Sequence, residues 1–216
     1  MDFYYMPESP PCRAVELVAD LVGAELNKKY VNLFKGEQLN EDFVKINPQH
    51  CVPTLVDGDL ILWESRAIMA YLVHKYKKGD PLYPEEPKLR ARVDHMLYFD
   101  LGTLFKTQSE YLRPRLEGKR ILDANNEKKF LEALRLLTLA LEKHQFAAGD
   151  TLTLADISIV CSLTLSEGCH YDLSSFKTIV EYQERVKKAL PSYDRVNKEP
   201  MARFKAFVEH RQKCSP

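Results

Sequence analysis

The chain has 216 residues, long enough to bury a sizeable core as one large domain or two small ones. Lysine plus arginine and aspartate plus glutamate both number 31, so the formal charge is zero. That balance argues against nucleic acid or an anionic membrane as the main partner, since both call for a basic surface excess.

The first residues, Met1-Asp2-Phe3, carry an acid and no basic run, so no secretory signal is expected. Phe3 to Met6 reads as a short apolar strand. Pro7-Glu8-Ser9-Pro10-Pro11 is a turn, and its last two prolines suit the first turn of a helix. Val15, Val18, Leu21 and Val22 give that helix one apolar face, with Gly23 as its cap. Leu26 to Leu33 reads as a second strand, and a short helical piece follows near Glu41 to Ile46. Asn47-Pro48 ends it, because the residue before a proline leaves the α region. Val52 to Val56 is β-prone, with Pro53 confined to the strand start or an edge. Asp57-Gly58 is a hairpin turn and Leu60 to Trp63 the return strand. Glu64-Ser65 then opens a helix with Ile68, Tyr71 and Leu72 on one face. This βαβ-ββα order is that of an α/β, thioredoxin-like domain, expected over residues 1–76.

Residues 77–87 hold Gly79, Pro81, Pro84 and Pro87 and read as a linker. Residues 88–216 read as an all-helical domain. A long helix is expected from Leu89 through Phe105 to Pro114. Phe130, Leu134, Leu137 and Leu141 form a second apolar stripe. Thr153 to Asp156 resembles a capping box with Asp in place of Glu. The helix it opens is apolar nearly all round and should be the buried centre, and its Ile157–Leu165 run is too short to span a bilayer. Ile179, Tyr182, Val186 and Leu190 mark another helix, ended by Pro191. Met201, Phe204, Phe207 and Val208 mark the last.

Two places carry chemistry. At Glu64-Ser65-Arg66 a helix N-terminus offers free N–H groups and partial positive charge, which receive a carboxylate. Glu64 just outside could pair with an ammonium. Just upstream, a cis Val52-Pro53 bond would leave Val52 as an unpaired edge for an extended peptide-like ligand. Taken singly, Ser65 is an ordinary N-cap, Arg66 a surface charge and His50 a loop residue. Ser9 is the second place, after the first strand and before the first helix. Its hydroxyl is no base at neutral pH, but it can donate a hydrogen bond to a thiolate.

The order His50-Cys51-Val52-Pro53, hairpin, Glu64-Ser65-Arg66, together with Ser9-Pro10-Pro11-Cys12-Arg13 and Tyr98-Phe99-Asp100, resembles the cytosolic glutathione transferases. The delta class of the serine-type delta and epsilon group is the nearest match. The resemblance implies a cis Pro53 and a glutathione site made of Ser9, His50, Cys51, Val52, Pro53, Glu64, Ser65 and Arg66. Within it, Ser9 activates the glutathione thiol for attack on hydrophobic electrophiles in detoxification, and Ser65-Arg66 hold the γ-glutamyl carboxylate. It further implies an Arg66–Asp100 charge network and a homodimer. The electrophile pocket would use Met6, Pro11, Leu33, Phe105, Arg113, Leu116, Phe204 and Phe207. Two positions depart from the pattern. Gln38 stands where a histidine is expected, and Arg113 where an aromatic is commoner.

Tyr5 and Cys12 are rivals to Ser9. Tyr5 lies within a strand, and Cys12 would serve a glutathione-dependent reductase or peroxidase on the same scaffold. A non-catalytic binding relative is the other alternative. Cys12, Cys51, Cys161, Cys169 and Cys214 are odd in number and form no CxxC, which points to a reduced, cytoplasmic protein. No metal pattern is visible among the histidines, and Gly118-Lys119-Arg120 lacks the phosphate-loop spacing.

Overall fold

The computed structural model describes residues 1–119 and 123–214, with Cys214 as backbone only. Arg120 and the thiol of Cys214 therefore lie outside the described residues. The N-terminal domain is built on a four-stranded mixed sheet in the order β2-β1-β3-β4. Strand β1 (Asp2–Tyr5) pairs in parallel with β2 (Asn27–Tyr30), which requires a crossover, supplied by helix α1 (Pro10–Val22). β3 (Thr54–Asp57) runs antiparallel to β1 and to β4 (Leu60–Trp63), joined to β4 by the Asp57-Gly58 turn in which Gly58 takes φ 63. Helices α1 and α3 (Ser65–Tyr76) pack together on one face of the sheet. The short α2 (Glu41–Ile46) lies against the other, where Phe43 meets the Tyr4 ring at 5.5 Å.

The second strand is shorter than its sequence suggests. After Tyr30 the Asn32 side chain accepts from Lys35 N–H at 3.2 Å and opens a 3-10 turn over Leu33–Lys35, which Gly36 ends at φ 76. Leu33 thus leaves the sheet. This local cap outcompetes ladder pairing for an Asn-led segment.

The remainder is helical: α4 (Pro87–Phe99), α5 (Phe105–Leu116), α6 (Ala124–Leu141), α7 (Leu154–Gly168), α8 (Lys177–Ala189) and α9 (Tyr193–Cys214). The long helix expected from Leu89 to Pro114 is broken in register, not in path. A π turn over Asp100–Leu104 joins α4 to α5. The last helix starts at Tyr193, earlier than its apolar stripe indicates, and carries Pro200 inside it.

Helix α7 is the centre of this domain, with every residue except Glu167 buried. Its start is fixed by Asp156, fully buried, which accepts from Ala147 N–H (2.7 Å), Thr153 N–H (2.8 Å), Thr153 Oγ1 (3.0 Å) and Tyr182 OH (2.9 Å). Burial raises the Asp156 pKa, and these four donors oppose the rise. The two domains meet where α1 packs on α7 and α9. Arg13 of α1 is only 1% exposed there and donates to Thr164 Oγ1 of α7 at 2.7 Å. Among the described residues no helix is long and apolar enough to cross a membrane.

Candidate active site

Ser9 stands at the N-cap of α1, yet its hydroxyl does no capping. The backbone carbonyl of Ser9 accepts the first helical amides instead, from Cys12 at 3.1 Å and Arg13 at 3.2 Å. Pro10 and Pro11 have no N–H to compete for the side chain. The Ser9 hydroxyl is therefore available at the end of β1, half-buried on the wall of a cavity of about 550 Å³. Next to it Cys12 is fully buried, and burial pushes its thiol up to about 12, with a hydrogen bond to Ser9 only partly offsetting this. A thiol so placed is neither accessible nor ionised at neutral pH, so it makes a poor nucleophile. Tyr5 does not line the cavity. It stacks on Phe3 at 5.5 Å, and burial raises its pKa.

The same cavity is lined by His50, Cys51 and Val52. Their loop is held by Asn47, which is fully buried and also ends the preceding helix. Its Nδ2 donates to the Cys51 carbonyl at 3.2 Å and to Thr54 Oγ1 at 2.8 Å, and its Oδ1 accepts from Gln49 N–H at 2.9 Å. The Val52-Pro53 bond is cis. Among the described residues, no backbone hydrogen bond uses Val52, so both its polar groups remain available.

In the β3–β4 pairing Thr54 sits opposite Trp63, which brings the Glu64-Ser65 turn alongside Pro53. Glu64 takes φ 73, a left-handed conformation rare outside glycine and of the kind that proteins retain at ligand sites. Ser65 is the first residue of α3 rather than its N-cap and is 3% exposed. Arg66 Nη1 donates to Ser65 Oγ at 3.0 Å. Its Nη2 donates to Asp100 Oδ2 at 2.5 Å and reaches Ser162 Oγ at 3.4 Å. Asp100 is fully buried at the start of the π turn and also accepts from Ser158 Oγ at 2.5 Å. The Arg66 guanidinium lies 5.7 Å from the centre of the Phe105 ring. One arginine thus ties the start of α3 to α7, to the π turn and to a side chain of the cavity wall.

The structure brings Ser9, His50, Cys51 and Val52 to one wall with Met6, Pro11, Leu33, Phe105, Arg113, Leu116 and Phe204. Pro53, Glu64, Ser65, Arg66 and Asp100 stand beside this cavity and are not on its wall. Phe207 is also off the wall. It stacks on Phe34 at 4.0 Å, and Phe34 lines the cavity in its place. Glu8, Pro10, Gln38, Ser109 and Leu165 complete the lining. Ser109 was legible, for Phe105, Ser109, Arg113 and Leu116 follow helical spacing along one face of α5. Among the described residues no group of His, Cys, Asp or Glu could hold a metal ion.

Phe204 reaches the wall because Gly168 has no side chain. A Cβ there would lie 2.2 Å from the Phe204 ring. Gly168→Ala is expected to cost about 2 kcal/mol of stability through overpacking. It should also change the KM for electrophiles more than that for glutathione, as measured by denaturant melts and steady-state kinetics.

Two family models match the chain: glutathione S-transferase, N-terminal domain, over residues 1–74, and glutathione S-transferase, C-terminal domain, over residues 94–191. Among solved structures, a delta-class glutathione transferase of Nilaparvata lugens is 45% identical, with a TM-score of 0.91 over 97% of this chain and 99% of that one. A Bombyx mori glutathione transferase is 40% identical, with a TM-score of 0.90 over 95% of this chain and 96% of that one. A glutathione transferase homolog of Drosophila mojavensis, solved with bound glutathione, is 33% identical, with a TM-score of 0.87 over 97% and 96%.

Proposed function

The chain belongs to the glutathione S-transferase family, and on that premise we propose that Ser9 donates the hydrogen bond that holds the glutathione sulfur as thiolate. The protein is a glutathione transferase, an enzyme that joins glutathione to electrophiles. What carries the assignment of Ser9 is a hydroxyl that does no helix capping, at a helix start, on the wall of the cavity shared with Val52. Residues 1–76 would hold glutathione and residues 88–216 most of the electrophile pocket.

The polar groups left open in the fold fit an extended tripeptide. Val52 offers an N–H and a C=O to its backbone. Ser65 and the first amides of α3 receive the γ-glutamyl carboxylate, and Glu64 its ammonium. Gln38 lines the cavity with its buried Oε1 unpartnered, at the end suited to the glycyl group. Arg66, anchored on Asp100, keeps Ser65 oriented. In the reaction the new C–S bond forms as the bond to the leaving group breaks. The thiol proton passes to solvent, and no covalent bond to the enzyme is made. The burial of Cys12 weighs against a thiol-based reductase.

We further propose a cytosolic homodimer. The four described cysteines are free, which suits a reducing compartment. Exposed apolar side chains on β4 (Leu60, Ile61) and around the end of α4 (Tyr98, Leu101) are surfaces that a partner subunit would cover.

Ser65→Ala tests the glutathione pose by titration calorimetry. Loss of one hydrogen bond to a carboxylate should raise the glutathione Kd about tenfold. An unchanged Kd would remove Ser65 from the site.

A further inference from the structure

The electrophile side of the cavity is apolar on most of its wall, yet it carries one uncompensated cation. Three acidic or basic side chains line the cavity: Glu8, His50 and Arg113. Glu8 is 9% exposed and neutralised, since Arg203 Nε donates to its Oε1 at 2.7 Å. His50 is an exposed loop residue. Arg113 has no such counterpart. Among the described residues no carboxylate lies within ion-pair reach of it, although Glu110 shares its helix and Glu117 caps that helix. Glu117 pairs with Lys119 at 3.2 Å, and the neighbouring Arg115 is taken up by the Cys169 carbonyl at 2.6 Å. Arg113 follows Ser109 by one helical turn, so α5 presents a hydroxyl and a guanidinium in line beyond the Phe105 ring.

We infer that Arg113 makes this cavity select electrophiles that carry an anionic group, a carboxylate being the simplest, on an apolar or aromatic body. The inference rests on the glutathione site proposed above and extends it to the second substrate. The apolar body is held by Met6, Phe105 and Phe204, surfaces that discriminate only weakly by shape. The guanidinium is planar and suited to gripping a carboxylate with two parallel hydrogen bonds. Because Arg113 is solvent-exposed, screening limits its contribution to about tenfold, the scale of one modest charged hydrogen bond.

The test compares two benzyl chlorides, one with a para nitro group and one with a para carboxylate. In both, the glutathione sulfur attacks the benzylic carbon and chloride leaves. The quantity read is the kcat/KM of the carboxylate substrate over that of the nitro substrate, divided by the same ratio for the uncatalysed reaction. Arg113→Leu should lower this ratio about tenfold, Arg113→Glu should lower it further, and Arg113→Lys should recover much of it. In the unmodified protein the ratio should also fall as salt rises from about 0.01 M to about 1 M. Binding of the carboxybenzyl-glutathione product, measured by calorimetry, should weaken in Arg113→Leu in parallel. A ratio that stays within twofold in both Arg113→Leu and Arg113→Glu, with both substrates turned over, would overturn the assignment of Arg113 alone. Failure of the unmodified protein to conjugate either substrate while it still binds glutathione would overturn this inference, and absence of glutathione binding by calorimetry would overturn the glutathione site and this inference together.

Discussion

Ser9→Ala is expected to abolish most of the turnover at neutral pH and to leave the fold intact. A free thiol ionises near about 8.5, whereas a hydrogen bond from a hydroxyl beside a helix start can lower that by about two units, worth roughly 3 kcal/mol. At a pH of about 6.5 the bound thiol would then be about half ionised in the unmodified protein and about one part in a hundred in the variant. The expected loss in kcat/KM there is about fiftyfold. The sign of the pH dependence follows from the same numbers. As pH rises through about 8.5 the thiol ionises without help, so the deficit should shrink toward unity by a pH of about 9.5. Ser9 spends its backbone, not its hydroxyl, on the helix, so stability should change by less than about 1 kcal/mol. Cys12→Ala makes the comparison. Its thiol is buried and pushed up to about 12, so its removal should leave the pH profile of turnover in place. A loss of activity confined to Cys12→Ala would transfer the chemistry to the thiol.

Asp100→Ala is expected to damage both stability and glutathione affinity. Asp100 is fully buried and holds Arg66, whose side chain is 11% exposed. Removing one partner of such a pair strands the other charge away from water, at a typical cost of about 3 to 5 kcal/mol. Arg66 keeps Ser65, Ser162 and the Phe105 ring, which favours the lower figure. For a chain of this length about 3 kcal/mol lowers Tm by roughly 10 °C, readable by calorimetry. Arg66, no longer anchored, should also orient Ser65 less well and raise the glutathione Kd about tenfold. The double variant Arg66→Met/Asp100→Leu separates the two effects. It buries no unpaired charge, so its Tm should recover above that of Asp100→Ala, while its glutathione affinity stays weak. A Tm unchanged in Asp100→Ala would mean that the pair does not join the domains in solution.

The elements most legible in the sequence are those whose signals are local. The Asp57-Gly58 hairpin, the Phe130 to Leu141 stripe and the Thr153–Asp156 cap all stand where spacing puts them. Leu33 misled because Val31 and Leu33 alternate as a strand would, while the Asn32 cap and Gly36 turn the chain out of the sheet. The π turn after Phe99 left no mark in the apolar periodicity, since it shifts register without interrupting the helix. Arg66 and Asp100 are 34 residues apart, and no spacing rule joins them. Only the resemblance brought them together beforehand. The cavity wall was partly readable, because α5 presents Phe105, Arg113 and Leu116 on one face. Glu8 and Phe34 were missed, since what exposes them to the cavity is the path of two turns. The bracing role of Asn47 had no sequence signal, because a buried asparagine that holds a loop looks, in sequence, like any helix stop.

The most direct measurement is the ionisation of glutathione bound to the protein, followed by thiolate absorbance near about 240 nm as pH is raised. The account predicts an apparent pKa of about 6.5 with Ser9 in place and about 8.5 in Ser9→Ala. The same pKa in both proteins, at the value of the free tripeptide, would contradict it.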